Sequence, residues 1–300
     1  MATTDKEVYE WDRHPRMPVP PPPRESCDCQ FHIYDDPVRF PPRRNPPYPP
    51  ITSATFAEAQ KMHKAIGFDR GVIVHSAIYG TDHRLLLHAL ESLNDRDHYR
   101  GIGIVDDTVP DRELERMNAA GVRGARFNFV RFLALDQRDT EVRRSMARIR
   151  ELGWHARLHV HGEDLVNNSD LLCSIRDVPM VIDHFGHVGF DGGLDRPVIR
   201  WVLDMLKREN WWMMLSNGNR DSKMDAGWED AIPYGKAFIE AAPDRTLWAT
   251  DWPHPQWTKR MMNDAEEVEL LYRYVDGDMP LLHRILVDNP ARLHGFDKQS

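Results

Sequence analysis

Cysteine is scarce in this chain of 300 residues. Its three cysteines, Cys27, Cys29 and Cys173, are too few for a disulfide framework, and Cys27 and Cys29 lack the Cys-x-x-Cys spacing of a redox or zinc motif. No apolar run near either terminus is long enough for a signal peptide or a membrane span. These absences predict reduced thiols, no membrane partner and a cytoplasmic location.

Basic charge and two common motifs are also lacking. The chain has 39 Lys and Arg against 47 Asp and Glu, a formal net charge of -8. A nucleic-acid-binding protein needs a basic face, so nucleic acid is not an expected partner. No Gly-rich dinucleotide fingerprint follows the first predicted strand, and no Gly-x-Ser-x-Gly elbow surrounds Ser76, which disfavours a dinucleotide cofactor and a serine nucleophile.

What is present is a regular alternation of short apolar runs with segments of helical periodicity. The strand-like runs are 27–34, 70–76, 100–105, 122–128, 155–161, 180–184, 211–216 and 246–251. The helical segments are 82–93, 111–120, 140–152, 195–208 and 232–241. Eight alternating β/α units in this length predict a (β/α)₈ TIM barrel of the α/β class, with a doubly wound open sheet as the alternative.

Two proline-rich stretches interrupt this alternation. Residues 1–25 are polar and then rich in proline, which predicts an extended arm before a barrel domain of residues 26–300. The arm either frays or wraps a neighbouring subunit, so a homodimer is possible. The second stretch, residues 37–50, follows the first strand and contains Tyr48, and we expect it to cover a pocket at the catalytic face of the barrel.

Asp251 ends the last apolar run, and Trp252 and Pro253 follow it directly. A charge at the end of a buried strand must pair, bind a metal or act as a base. Catalytic groups of TIM barrels lie at the carboxyl ends of the strands. Polar residues at the other predicted strand ends are Gln30, His32, Ser76, Arg123, Arg126, His159, His161, Asp183, His184 and Arg220.

These residues permit two kinds of site. Three histidines and a carboxylate with an open position would suit a hydrolytic zinc ion, whereas the same groups without metal could serve as electrophile and base. Arg123, Arg126 and Arg220 would suit an anionic small-molecule substrate, although the first two could equally be structural ion-pair partners. His254 could be a binding residue or a turn residue, and Ser76 could merely satisfy a backbone group.

Six segments, taken together and in order, resemble the amidohydrolase-2 branch of the amidohydrolase superfamily, most closely its 2-pyrone-4,6-dicarboxylate lactonase type. The similarity extends from about residue 27 to residue 296. The segments are 27–32 (CDCQFH), 79–82 (YGTD), 121–128 (GVRGARFN), 182–186 (IDHFG), 249–255 (ATDWPHP) and 288–292 (DNPAR).

The resemblance implies a distorted (β/α)₈ barrel that hydrolyses a lactone or related cyclic carbonyl compound, from aromatic-compound catabolism, with no cofactor required. Asp251 would be the general base for water, and His32 and His184 would polarise the scissile carbonyl. Ser76, Arg123, Arg220 and Tyr48 match positions that bind substrate carboxylates. We add Gln30, Arg126, His159, His187 and His254 as substrate-binding candidates.

Three residues depart from the family pattern. Gln30 stands where the first motif histidine is expected, and Gln is a poor zinc ligand. His187 replaces an arginine and His159 a tyrosine of the dicarboxylate lactonases, and metal-dependent relatives place a histidine ligand at the latter position. One alternative is therefore a decarboxylase or hydratase with one Zn²⁺ on His32, His159, His184 and Asp251. The other is an inactive barrel that acts as a binding protein.

Overall fold

The computed structural model describes residues 10–49, 51–94, 97–130 and 139–296. Eight parallel strands form one sheet in the order β1 to β8, and each strand pairs with its neighbours in the sequence. This arrangement confirms the predicted (β/α)₈ barrel. The strands are β1 (Cys27–Phe31), β2 (Arg70–Val74), β3 (Tyr99–Gly103), β4 (Val122–Asn128), β5 (His155–His159), β6 (Met180–Ile182), β7 (Trp211–Leu215) and β8 (Thr246–Trp248).

Helices lie between and after the strands. The five predicted helices match α2, α3, α4, α7 and α9, whereas the long helices α1 and α10 were not predicted. The helices are α1 (Phe56–Ile66), α2 (Arg84–Glu91), α3 (Asp111–Ala120), α4 (Asp139–Glu151), α5 (Asp164–Asn167), α6 (Ser169–Ser174), α7 (Pro197–Leu206), α8 (Gly218–Asp221), α9 (Ile232–Ala241), α10 (Asp264–Tyr274), α11 (Met279–His283) and α12 (Asn289–His294). None of the helices in these described ranges could cross a membrane.

Two hydrophobic layers follow from the alternation of side chains along each strand. Val72 and Val74 of β2 belong to a cluster with Cys27 and Cys29 of β1, whereas Ile73 belongs to the larger core between the strands and the helices. The cysteines are thus buried as reduced thiols, and burial raises the pKa of Cys27 well above its usual value.

The buried carboxylate of Asp28 joins the first strand to the last. Its Oδ1 accepts hydrogen bonds from the backbone N–H groups of Gln30 (3.1 Å) and Thr250 (3.0 Å). Its Oδ2 accepts from Thr250 Oγ1 (2.5 Å) and lies 3.1 Å from His63 Nε2. The Asp251 N–H also donates to the Gln30 carbonyl (2.9 Å). These bonds fix β1 against the chain that leads to Asp251.

The described part of the N-terminal arm packs on the barrel. Trp11 is buried against Trp252, with ring centroids 5.1 Å apart. Arg16 pairs with Glu269 of α10 through two hydrogen bonds of 2.6 and 2.7 Å. In the structure an aromatic contact and a bidentate ion pair join this part of the arm to the barrel. A homodimer stays a prediction.

Candidate active site

A cavity of about 300 Å³ opens at the carboxyl ends of the strands. This is the face on which TIM barrels place their catalytic groups. Its volume suits a small molecule of one or two rings. The residues that line it are His32, Tyr48, Ala77, Arg126, Val130, His159, His161, His184, His187, Asn217, Arg220, Asp221, Asp251, Pro255 and Gln256.

Five of these residues have a left-handed backbone conformation, and three of the five carry side chains that meet at the Asp251 carboxylate. His184, Asn217 and Asp251 each lie two or three residues beyond the end of a strand and have φ values of 52°, 61° and 61°. Residues other than glycine rarely adopt this conformation, and they do so mostly at functional sites. Strands β6, β7 and β8 end before these residues, and the left-handed turns that follow the strands direct the three side chains toward one another.

The Asp251 carboxylate lies at the centre of the group. Gln30 Nε2 donates to its Oδ1 (3.1 Å), and Asn217 Nδ2 donates to its Oδ2 (2.9 Å). His32 Nε2 lies 3.4 Å from Oδ1, and Arg220 Nη2 lies 3.9 Å from Oδ2. Burial alone would raise the pKa of Asp251, but the contact with His32 and the nearby Arg220 guanidinium hold it well below its usual range. Asp251 is therefore ionised at neutral pH.

His184 is held in one neutral form by its neighbours. Two N–H donors, Gln30 Nε2 and Arg126 Nη2, each lie 2.9 Å from its Nε2. Because two donors face Nε2, we assign the ring proton to Nδ1, where Ser216 Oγ (2.8 Å) can accept it and Asn217 Nδ2 also lies 3.0 Å away. Burial, reinforced by Arg126, lowers the pKa of His184 well below its usual value. His184 thus has no proton on Nε2 to give to a substrate oxygen.

A buried ion-pair group beneath the cavity fixes these orientations. Asp183 accepts from Arg157 Nε (2.6 Å) and from Arg126 Nε (3.0 Å). Arg157, which is fully buried, also donates from Nη2 to Gln30 Oε1. This bond decides which end of the Gln30 amide carries the oxygen, so the NH₂ group must face Asp251 and His184.

Eight of the twelve predicted site residues line the cavity, and four do not. Gln30 lies beneath the cavity and reaches it only through its contacts with Asp251 and His184. Ser76 lies behind Tyr48, with its Oγ 3.0 Å from the Tyr48 hydroxyl. The eight that line it are His32, Tyr48, Arg126, His159, His184, His187, Arg220 and Asp251.

Arg123 and His254 are not among the residues that line the cavity, and their expected substrate-binding role stays a prediction. Arg123 is the second residue of β4, and its Nη1 donates to the carbonyls of Asn118 (2.9 Å) and Val122 (2.8 Å) at the opposite end of the barrel. His254 is buried beside Asp264, with its Nε2 3.0 Å from Asp264 Oδ1. Both side chains are engaged within the protein itself.

Three residues with evident contacts were not predicted from the sequence. Asn217 holds Asp251, Arg157 orients Gln30, and Asp221 accepts from His187 Nδ1 (3.0 Å). The Ser-Asn-Gly-Asn-Arg loop after β7 was a signal for Asn217, because an Asn that tolerates a left-handed φ is common in such turns. No local pattern around Arg157 indicates that it is buried.

The zinc ligands expected from the resemblance were His32, His159, His184 and Asp251. A metal ion needs a free lone pair on each ligand. The lone pair of His184 Nε2 faces the N–H groups of Gln30 and Arg126, and Gln30 also donates to Asp251. A cation bound to His184 and Asp251 would have to displace an amide and a guanidinium. The set therefore does not fit a resident metal.

The comparisons with known proteins agree with this fold. An amidohydrolase family profile matches residues 27–296, so the chain belongs to the amidohydrolase family. It is thus an enzyme of the amidohydrolase type, as the sequence motifs predicted.

Two relatives are named lactone or pyrone hydrolases, and one solved structure shares the fold. The chain is 33% identical to a 4-sulfomuconolactone hydrolase of Hydrogenophaga intermedia, over 91% of this chain and 89% of that protein. It is 29% identical to a 2-pyrone-4,6-dicarboxylate hydrolase of Comamonas testosteroni, over 95% of both chains. An apo crystal structure of an Agrobacterium tumefaciens protein shares the fold, with a TM-score of 0.83, 24% identity and coverage of 94% of this chain and 100% of that chain.

Proposed function

We propose that this enzyme opens the ring of an anionic lactone by hydrolysis, with Asp251 as the base that accepts a proton from water. The observation that carries the proposal is an ionised carboxylate in a strand-end cavity, held by the amides of Gln30 and Asn217 and facing the guanidiniums of Arg126 and Arg220. The names of the two relatives describe lactones that carry acidic groups, which is the substrate class that such guanidiniums favour.

The reaction has an addition step and an elimination step. Each carboxylate oxygen of Asp251 keeps acceptor capacity beyond its one amide donor, so a water can bind there. The water oxygen adds to the lactone carbonyl while its proton passes to Asp251, and the ring C–O bond then breaks as Asp251 returns this proton to the leaving oxygen. His32 donates from Nδ1 to the Val74 carbonyl (2.7 Å), and its Nε2 lies 3.4 Å from Asp251 Oδ1, within reach of a water bound to that carboxylate.

The oxyanion of the addition step needs N–H donors. His184 Nε2 is an acceptor in this geometry, so we assign that role to Arg126, which His184 positions at 2.9 Å. Because its pKa is lowered, the Asp251 carboxylate is ionised at neutral pH and free to accept a proton, but it is a weak base. Stabilisation of the oxyanion by a preorganised guanidinium must therefore supply the larger share of the rate enhancement. The expected polarising role of His184 thus becomes a positioning role.

A substrate panel tests the proposal. Lactones with no, one or two acidic groups are incubated with the purified protein, and ring opening is followed by liquid chromatography. Carboxylic acids and alkenes are included to detect decarboxylation or hydration. We expect opening of a carboxylated or sulfonated lactone, and a fall in kcat/KM of about 10² to 10⁴ in Asp251→Asn. Asp82→Asn, in an exposed ion pair with Arg84, is the control. Near-normal turnover by Asp251→Asn would refute the mechanism.

A further inference from the structure

Three histidine side chains form a second cluster on one wall of the cavity. His159 ends β5, His161 lies two residues further on, and His187 follows β6. One ring nitrogen of each lies within 4.8 Å of a ring nitrogen of the other two. The ring centroids of His161 and His187 are 4.6 Å apart, and those of His159 and His187 are 5.5 Å apart. Of these three, the zinc set expected from the sequence included only His159.

Hydrogen bonds behind the rings set the tautomers of two of them. Asp221 can only accept, so His187 carries its proton on Nδ1 and donates it to that carboxylate at 3.0 Å. His159 Nδ1 lies 3.1 Å from Asn128 Oδ1 and donates to it in the same way. Both rings therefore keep the Nε2 lone pair available. A histidine braced through its other nitrogen by a carboxylate or an amide oxygen is the usual arrangement of a metal ligand.

Burial disfavours the protonated form of two imidazoles of this cluster, those of His159 and His161. Burial, reinforced by Arg126, lowers the pKa of His159 well below its usual value. Burial and the neighbouring His187 also lower the pKa of His161. Neutral imidazoles bind cations through their lone pairs, whereas an anion would require protonated rings. With their Nε2 lone pairs free, His159 and His187 suit a cation rather than an acidic group of the substrate.

We propose that His159, His161 and His187 bind one divalent transition-metal ion of the Zn²⁺ class, with its fourth position open to the cavity. Nitrogen ligands at 2.0–2.1 Å from a tetrahedral ion are about 3.3 Å apart, so the cluster has to contract by at most about 1.5 Å. The exposed ring of His161 can turn toward the other two at little cost. Three nitrogen ligands select Zn²⁺, Co²⁺ or Ni²⁺ over Mg²⁺ and Ca²⁺.

Co²⁺ binding to the full-length protein tests this site independently of any substrate. Chelator-treated protein is titrated with Co²⁺, and the visible absorption of tetrahedral Co²⁺ is recorded. The bound Zn²⁺ per chain is then measured by elemental analysis after dialysis. We expect one ion per chain, lost in His161→Ala and in His187→Ala. Asp221→Asn should weaken binding about 10- to 100-fold, because it removes the brace of His187.

Two controls assign the ion to this cluster. His32→Ala removes one ligand of the alternative zinc set and should keep the Co²⁺ spectrum. His283→Ala removes an exposed histidine next to Asp288 and should keep it as well. Melting temperatures establish that each variant is folded. The proposal is overturned if wild-type protein binds neither Co²⁺ nor Zn²⁺, or if binding survives His161→Ala but is lost in His32→Ala. Because no turnover is measured, failure of the lactone proposal would leave this result unaffected.

Discussion

Replacement of Gln30 by Leu is the sharpest test of how the site is built. The change keeps the approximate volume of the side chain and removes the amide that donates to Asp251 Oδ1 (3.1 Å) and to His184 Nε2 (2.9 Å). A hydrogen bond to a charged group contributes about 1.5–3 kcal/mol, and 1.36 kcal/mol corresponds to one pKa unit. We therefore expect the pKa of Asp251 to rise by about 1–2 units in Gln30→Leu.

The sign of the accompanying stability change follows from linkage. The folded-state pKa of Asp251 is depressed, so its ionised form stabilises the fold above the pKa of the unfolded chain, and this stabilisation is lost as the pH falls. Gln30→Leu should therefore lose stability at neutral pH. Arg157 Nη2 also loses its acceptor, which costs about 1–3 kcal/mol at any pH.

Carbon-13 NMR of the aspartate side-chain carboxyls measures the shift without a substrate. The Asp251 resonance is assigned by its absence in Asp251→Asn and is followed from neutral pH downward in wild type and in Gln30→Leu. Gln60→Leu, the same chemical change on the exposed face of α1, is the control. If the Asp251 resonance titrates at the same pH in wild type and Gln30→Leu, the Gln30 amide does not hold the carboxylate.

Three further variants test the surroundings of the site. Asp183→Asn leaves Arg126 and Arg157 without their buried counterion, so thermal unfolding should show a loss of about 3–5 kcal/mol, whereas a loss below 1 kcal/mol would contradict the ion-pair group. Trp11→Ala removes the anchor on Trp252 and should cost about 3–5 kcal/mol by denaturant unfolding; an unchanged midpoint would mean that the arm is not held. Burial and Asp264 raise the pKa of Glu267 well above its usual value, so its neutral form stabilises the fold at low pH and this stabilisation is lost as the pH rises. Glu267→Gln should raise the melting temperature at pH 8 more than at pH 5, and an equal change at both would refute this.

The barrel could be predicted because eight short strand-like runs alternate with segments of helical periodicity, whereas the direction of single side chains could not. Arg123 and Arg126 are three apart in β4 and therefore point to opposite faces. Both were assigned to the substrate, but only Arg126 reaches the cavity. His254 follows Asp251 by three residues, and its left-handed φ of 57° turns it toward Asp264 instead. Backbone turns of this kind leave no reliable pattern in the sequence.

The contacts of Arg157 were beyond prediction for another reason. Arg157 lies in β5 between apolar neighbours, and an arginine in a strand is ordinarily solvated at its head group. Its partners Asp183 and Gln30 are 26 and 127 residues away, so only the closed barrel brings the three together. Asp183 was recognised as a polar strand-end residue, but its pairing with two arginines depends on the register of β4, β5 and β6.

One residue in β1 changes what the cavity can hold. A histidine at position 30 would offer a lone pair beside those of His184 and Asp251, and three lone pairs need a cation between them. Gln30 instead offers an amide NH₂ group, which donates to both His184 and Asp251. Arg157 binds the amide oxygen and so prevents the amide group from flipping. The positive charge at this place then comes from Arg126, which is fixed on Asp183 and cannot be removed by a chelator. Chelation should therefore empty the His159, His161 and His187 cluster while leaving the Asp251 environment unchanged, and the carboxyl resonance of Asp251 reports that directly.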